Sequence, residues 1–146
     1  MGLRHKGRIL AFQALYAWDM AEDKAEALQG LLMFSWLEKD RPPKEGDFSR
    51  LLIAGTVENI QAVDAAIKKH LVHWDFSRIN MVDRALLRTS VYELMFQSTP
   101  PSVVIDEAVD ISKEYGTDDS YRFINGVLDG VSKTINRSTA GNKEKL

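Results

Sequence analysis

The 146-residue chain contains no cysteine. That excludes disulfides, a thiol nucleophile and any zinc or iron–sulfur site built on cysteine. It fits a reducing compartment, and a cytoplasmic location is expected. No apolar run approaches the roughly 20 residues that span a bilayer. The basic N-terminus leads into ILAFQALYAWDM, which is amphipathic and holds Gln13 and Asp19, so it does not read as a signal peptide. Lys6 stands where a myristoylation pattern needs Ser or Thr. Ser–His–Asp arrangements, Gly-rich phosphate loops and HExxH motifs are missing. No catalysed chemistry and no cofactor are expected. Convincing strand-type alternation and internal repeats are missing as well.

Acid is missing where it would matter for a polyanion. No Asp or Glu precedes Asp19, whereas Arg4, His5, Lys6 and Arg8 all do. The net charge of -2 hides this asymmetry, since the stretch from Asp106 to Asp119 is mainly acidic. A local cluster, not the total, is what phosphate meets.

What is present is helical periodicity. A first helix is expected over about Lys6–Ala21, with Ile9, Phe12, Leu15 and Tyr16 on one side. A second covers about Lys24–Lys39, with Leu28, Leu31, Leu32 and Leu37 inward, and Pro42-Pro43 ends it. A long third starts near Asp47 as N-cap and carries Leu51, Leu52, Ile60, Val63, Ile67 and Leu71. Trp74–Ser77 connects it to a fourth over about Asn80–Phe96, with Val82, Leu86, Tyr92 and Met95 inward. After Pro100-Pro101, Ser102 is expected to cap a fifth helix holding Val104, Ala108, Ile111 and Tyr115. Gly116 then supplies a left-handed stop. Oxygens of Thr117, Asp118, Asp119 and Ser120 can start the last helix, in which Phe123, Val127 and Val131 share one side. Gly126 and Gly130 lie four apart, so close approach of another backbone is expected there. That helix is expected to reach about Ile135. The fold class is therefore all-α: two packed three-helix-type bundles forming one domain over 1–136, with 137–146 a disordered polar tail.

Several constellations bear on function. The Arg4–Arg8 cluster runs into a helix carrying Gln13 and Tyr16, and cations beside an aromatic suit unpaired RNA. The bland alternative is a solvated basic terminus with Tyr16 in the core. Arg84 and Arg88 lie four apart and can hold a phosphate, or else form local ion pairs on an exposed face. Asp118 and Asp119 read as helix caps and Phe123 as core. His70 and His73 are a surface pair or core contact rather than metal ligands, and Asp106, Glu107 and Asp110 are a solvated face rather than a magnesium site. No metal site is expected.

Four blocks in this order resemble one known family: AFQALYAWDM, MVDRALLRTSVYELMF, PPSVVIDEAVDISKEYG and YGTDDSYRFINGVLDG. They are similar to the NusB family of transcription antitermination factors. The resemblance covers about Arg8 to Val131. It implies a NusB-like all-helical RNA-binding domain that pairs with NusE, a small-subunit ribosomal protein. It implies binding to boxA-type single-stranded RNA of ribosomal RNA leaders, within an RNA polymerase elongation complex that includes other Nus factors. By resemblance, Arg4, His5, Lys6, Arg8, Gln13, Tyr16, Arg84 and Asp119 meet RNA, and Asp83, Arg122 and Phe123 meet the partner. His5 and Lys6 stand where the family's richest members have arginine. The competing reading is a helical protein-interaction module, or a homodimer, that does not bind RNA.

Overall fold

The computed structural model describes residues 2–37, 46–73 and 75–144, with side chains through residue 136. Its helices are α1 (Leu3–Met20), α2 (Lys24–Leu32), α3 (Gly46–Glu58), α4 (Ile60–Lys68), α5 (Met81–Phe96), α6 (Pro101–Tyr115) and α7 (Ser120–Glu144), with a 3₁₀ turn at Phe76–Arg78 before α5. No strand occurs among the described residues, and no helix is long and apolar enough to cross a membrane. Pro42-Pro43, Trp74 and the expected end of the second helix at Lys39 lie outside the described residues.

The centre of the molecule is α5. It touches α1, α3, α4, α6 and α7, and its residues from Ala85 to Leu94 are all buried. A helix enclosed on every side needs no polar face, which is why polar side chains on it (Arg88, Thr89, Ser90, Glu93) must find partners inside. The Asn80 side chain starts it, its Oδ1 accepting from the Val82 amide at 2.8 Å. The apolar faces of α1 (Ala11, Phe12, Leu15), α3 (Leu52, Ile53) and α4 (Val63, Ile67) close on one side, and α6 (Val104, Ala108, Ile111) and α7 (Ile124, Val127, Leu128, Val131) on the other. The two expected bundles are thus one continuous core sharing α5.

The expected boundaries shift in several places. The long third helix is two helices, because Asn59 leaves helical geometry (φ -111°, ψ 23°) and its side-chain amide donates to the Gly55 carbonyl at 2.8 Å. Asp47 sits inside the first turn of α3 and pairs with Arg50, and Leu51 faces solvent. Ser102 does not cap α6. Pro100 takes the N-cap position with Pro101 following, whose fixed φ and missing N–H suit the first turn. The backbone of α7 continues to Glu144, past the expected end near Ile135 and through residues expected as a tail.

Two glycines are required by close approach. A Cβ on Gly55 of α3 would overlap the Tyr92 ring of α5. Gly116 is extended (φ -94°, ψ -167°), not left-handed. A Cβ there would sit 2.6 Å from the Ser120 side chain and 2.7 Å from the Ser112 carbonyl oxygen, so it is room that selects glycine. The expected backbone contact at Gly126 and Gly130 does not form. Gly126 faces open space, while Gly130 receives the His70 ring, whose Nε2 lies 3.2 Å from the Thr134 hydroxyl.

Candidate nucleic-acid interface

The basic cluster begins α1, and helical geometry divides it. Residues 5, 8, 12 and 15 recur at three- and four-residue steps and turn inward with the core stripe. His5 and Arg8 are therefore buried, while Arg4 and Lys6 are exposed. Arg8 meets Glu93 of α5 in a bidentate pair, Nε to Oε1 at 2.9 Å and Nη2 to Oε2 at 2.7 Å. Glu107 of α6 lies 3.6 Å from Arg8 Nη1 and also takes the His5 Nδ1 contact. Burial works against the Arg8 charge, but the hydrogen bond and charge of Glu93, with Glu107, outweigh it and hold the pKa above the ordinary arginine value. These two members of the cluster tie α1 to α5 and α6.

The outward members differ in setting. Arg4 lays its guanidinium 4.6 Å from the centre of the Phe48 ring on α3. Lys6 and Gln13 are seven residues apart, two turns along one edge of α1, and Tyr16 follows one turn later. Gln13 and Tyr16 are half-buried there, so each keeps a face toward solvent. Phe12 meets Tyr115 edge-on with ring centres 5.3 Å apart, which sets the α6–α7 turn beside this stretch of α1.

The arginine pair on α5 is not an open clamp. Arg84 holds Asp19 of α1 through Nε at 2.9 Å and Nη2 at 2.6 Å. Arg88 holds Asp64 of α4 through Nε at 2.9 Å and Nη2 at 3.0 Å, and its Nη1 lies 3.4 Å from Asp19. A carboxylate thus occupies the place expected for a phosphate. The alternative of local pairs on an exposed face fails too, since Arg88 is buried and Glu93 belongs to Arg8. Phe76 lies within cation–π range of Arg84, Arg88 and Lys68.

The remaining expected site residues gather where α5 and α7 begin. Ser120 closes the turn before α7: its Oγ accepts from the Thr117 amide at 2.9 Å and lies 3.1 Å from the Thr117 hydroxyl. Asp118 and Asp119, the carboxylates expected as caps, are exposed. Asp83, in the first turn of α5, is buried against Ser120. Burial pushes its carboxyl above the ordinary range, opposed by the Ser120 hydrogen bond. Beside it opens a pocket of about 350 Å³ lined by Arg78, Ile79, Asn80, Asp83, Thr117, Asp119, Ser120 and Phe123. Asp83, Asp119 and Phe123 therefore share one wall system. Arg122 does not join it; it is exposed and donates from Nε to the Tyr121 hydroxyl at 2.9 Å. Among the described residues, no group of three or more His, Asp or Glu is placed to hold a metal.

The counter-charges Asp19, Asp64, Glu93 and Glu107 have no sequence signal of their own. Each pairs with an arginine or histidine on another helix, as in Arg8–Glu93, 85 positions apart. Only the acid-free start of α1 followed at once by Asp19 hints at the first of them.

Comparison with known proteins places this arrangement. Residues 5–133 match the NusB family. The transcription antitermination protein NusB of Treponema pallidum is 52% identical over 134 residues, covering 90% of this chain and 93% of that protein. The NusB of Treponema denticola is 48% identical over 131 residues, covering 88% and 94%. Among solved structures, T. maritima NusB superposes with a TM-score of 0.79 at 36% identity, covering 89% of this chain and 90% of that one. A chain from a crystal structure of antitermination factors NusB and NusE in complex with dsRNA gives a TM-score of 0.75 at 30% identity, covering 92% and 98%. With its all-helical fold, its order of blocks and relatives matched over nearly their full length, the chain belongs to the NusB family.

Proposed function

We propose that the protein is a transcription antitermination factor that binds RNA jointly with NusE, the small-subunit ribosomal protein, and that its RNA is a boxA element of ribosomal RNA leaders. It catalyses nothing; it acts in the cytoplasm by joining RNA, partner and the RNA polymerase elongation complex with its other Nus factors. The observation that carries this reading is the division of the basic arm on α1. Two cations, Arg4 and Lys6, face solvent, Arg4 against the Phe48 ring and Lys6 on the edge of α1 that carries Gln13 and Tyr16, while His5, Arg8, Arg84 and Arg88 meet carboxylates within the fold.

Arg4 and Lys6 attract phosphate, and Tyr16 and Gln13 contact bases exposed in a single strand. His5 and Arg8 shape the arm from within. Arg84 reaches RNA only as Asp19 yields. Asp119, on the pocket rim, repels phosphate and so restricts how RNA can lie. Asp83, Phe123 and Arg122 form the partner face. So few outward cations give a weak RNA surface, and a second RNA-contacting protein beside it lengthens the footprint. The relative solved with NusE and dsRNA supports pairing with NusE and binding of RNA.

The test is titration of labelled boxA RNA, single- and double-stranded, into the protein with and without NusE, against a scrambled sequence. Tighter binding of the boxA single strand when NusE is present is expected. Equal binding of scrambled RNA overturns the boxA assignment, and indifference to NusE overturns joint binding.

A further inference from the structure

The first turn of α1, which carries the outward cations, has little local support. Gly2 at its N-cap makes no side-chain hydrogen bond, and no acid stands in that turn. Basic side chains there oppose the positive end of the helix. What holds the turn is tertiary, and His5 is its inward anchor. His5 is 8% exposed, and its Nδ1 meets the Glu107 carboxylate of α6. An ionised carboxylate accepts and cannot donate, so Nδ1 carries a proton. Nε2 is buried with no hydrogen-bond partner. Arg8 and Glu93 complete the network: Arg8 pairs with Glu93 and lies 3.6 Å from Glu107. Two carboxylates against one arginine leave one negative charge over, and a protonated His5 balances it.

We propose that His5 is a positioning residue of the RNA arm, and that this chain binds RNA more tightly with His5 protonated than with it neutral. This rests on the RNA reading above and deepens it. Within the network, histidine is the residue type whose charge ordinarily changes between about pH 5 and 8. With the second proton, His5 ties the turn bearing Arg4 and Lys6 to α6 through a charged hydrogen bond. Without it, a surplus carboxylate charge lies beneath those two cations, weakens their pull on phosphate and loosens the turn. The ionisable groups that face His5, or reach it through the network, are Arg8 on α1, Glu93 on α5 and Glu107 on α6. Arg4 and Lys6 adjoin it in sequence, and the exposed Asp106 and Asp110 lie within a turn of Glu107. Helix α3 presents the Phe48 ring and the Ser49 hydroxyl to this part of α1, and neither titrates. RNA favours the protonated arm, so its binding draws protons onto the protein.

The experiment is calorimetric titration of boxA RNA into the NusE-bound protein at fixed salt, from about pH 5 to 8. Wild type, His5→Gln and Glu107→Gln are compared, each in two buffers of different ionisation enthalpy. Wild type is expected to bind about fivefold or more tightly at the acid end than at the alkaline end, with proton uptake in between. Both variants are expected to lose that dependence, although His70 and His73 remain in each. NusE and RNA titrate alike in all three complexes, so the difference belongs to the His5–Glu107 pair. A flat wild-type profile overturns the proposal without recourse to a variant, and leaves the RNA reading intact. Equal pH dependence in wild type and in either folded variant overturns it as well, and makes His5 a packing residue. Absence of RNA binding by wild type at every pH overturns both.

Discussion

The pair between Arg8 and Glu93 separates a structural arginine from an RNA-binding one. Its side chains are 9% and 2% exposed, and both hydrogen bonds are short. Removing one partner leaves the other charged and buried, which costs about 3–5 kcal/mol. Against a typical total of about 5–15 kcal/mol, Arg8→Met consumes a large share of the stability. For a chain of this size, the fall in melting temperature is about 10 °C or more. Replacing both residues, Arg8→Met with Glu93→Leu, removes the isolated charge and fills the space, and such exchanges are neutral or stabilising by about 1–4 kcal/mol. Thermal melts of the two single variants and the double variant, followed by RNA titrations of the double variant, constitute the assay. The double variant is expected to regain stability and keep its RNA affinity. Single variants as stable as wild type refute the buried-pair argument. A stable double variant whose log affinity against log salt loses about one unit of slope makes Arg8 a phosphate contact after all.

Three further outcomes follow from the geometry. Gly55→Ala, which drives a Cβ into the Tyr92 ring, should lower stability by about 1–3 kcal/mol, whereas Gly126→Ala, facing open space, should raise it by up to about 1 kcal/mol; opposite shifts in melting temperature check both. Asp83 has a raised folded-state pKa, so the folded state binds more protons than the unfolded one between the ordinary carboxylate pKa and the shifted one. Stability from this group is thus present at acid pH and lost as pH rises through that window; Asp83→Asn should flatten the corresponding part of a denaturation-midpoint-versus-pH curve. Asp19→Asn should loosen Arg84, lowering the melting temperature while strengthening RNA binding and steepening its salt dependence by up to about one unit; RNA binding unchanged would remove Arg84 from the interface.

The apolar spacing along α1, α5 and α6, and the prolines before α6, were enough to place those helices, because burial and backbone chemistry act locally. Asn59 was not legible as a break, since one asparagine within an apolar stripe is ordinary until its side chain turns onto Gly55. Ser102 was misread because a good cap residue loses to a proline pair with a preset φ. Gly116 was expected at the right place for the wrong reason: crowding by Ser120, not a left-handed turn, excludes a side chain. Inside the candidate site, residue types were legible and their pairing was not. Whether an arginine on an amphipathic helix faces phosphate or a buried glutamate depends on which helix lies opposite. Arg8 and Lys6 are two residues apart on one turn and meet opposite fates.

The central claim, that the outward half of the α1 arm contacts RNA in a joint complex, is tested most directly by one slope. Affinity of the NusE-bound protein for boxA RNA is measured over a series of salt concentrations, for wild type and for Arg4→Ala with Lys6→Ala. Loss of two phosphate contacts predicts a weaker complex at every salt and a slope shallower by about 1.4–2 units. An unchanged slope, in a variant that melts like wild type and still binds NusE, would contradict the account.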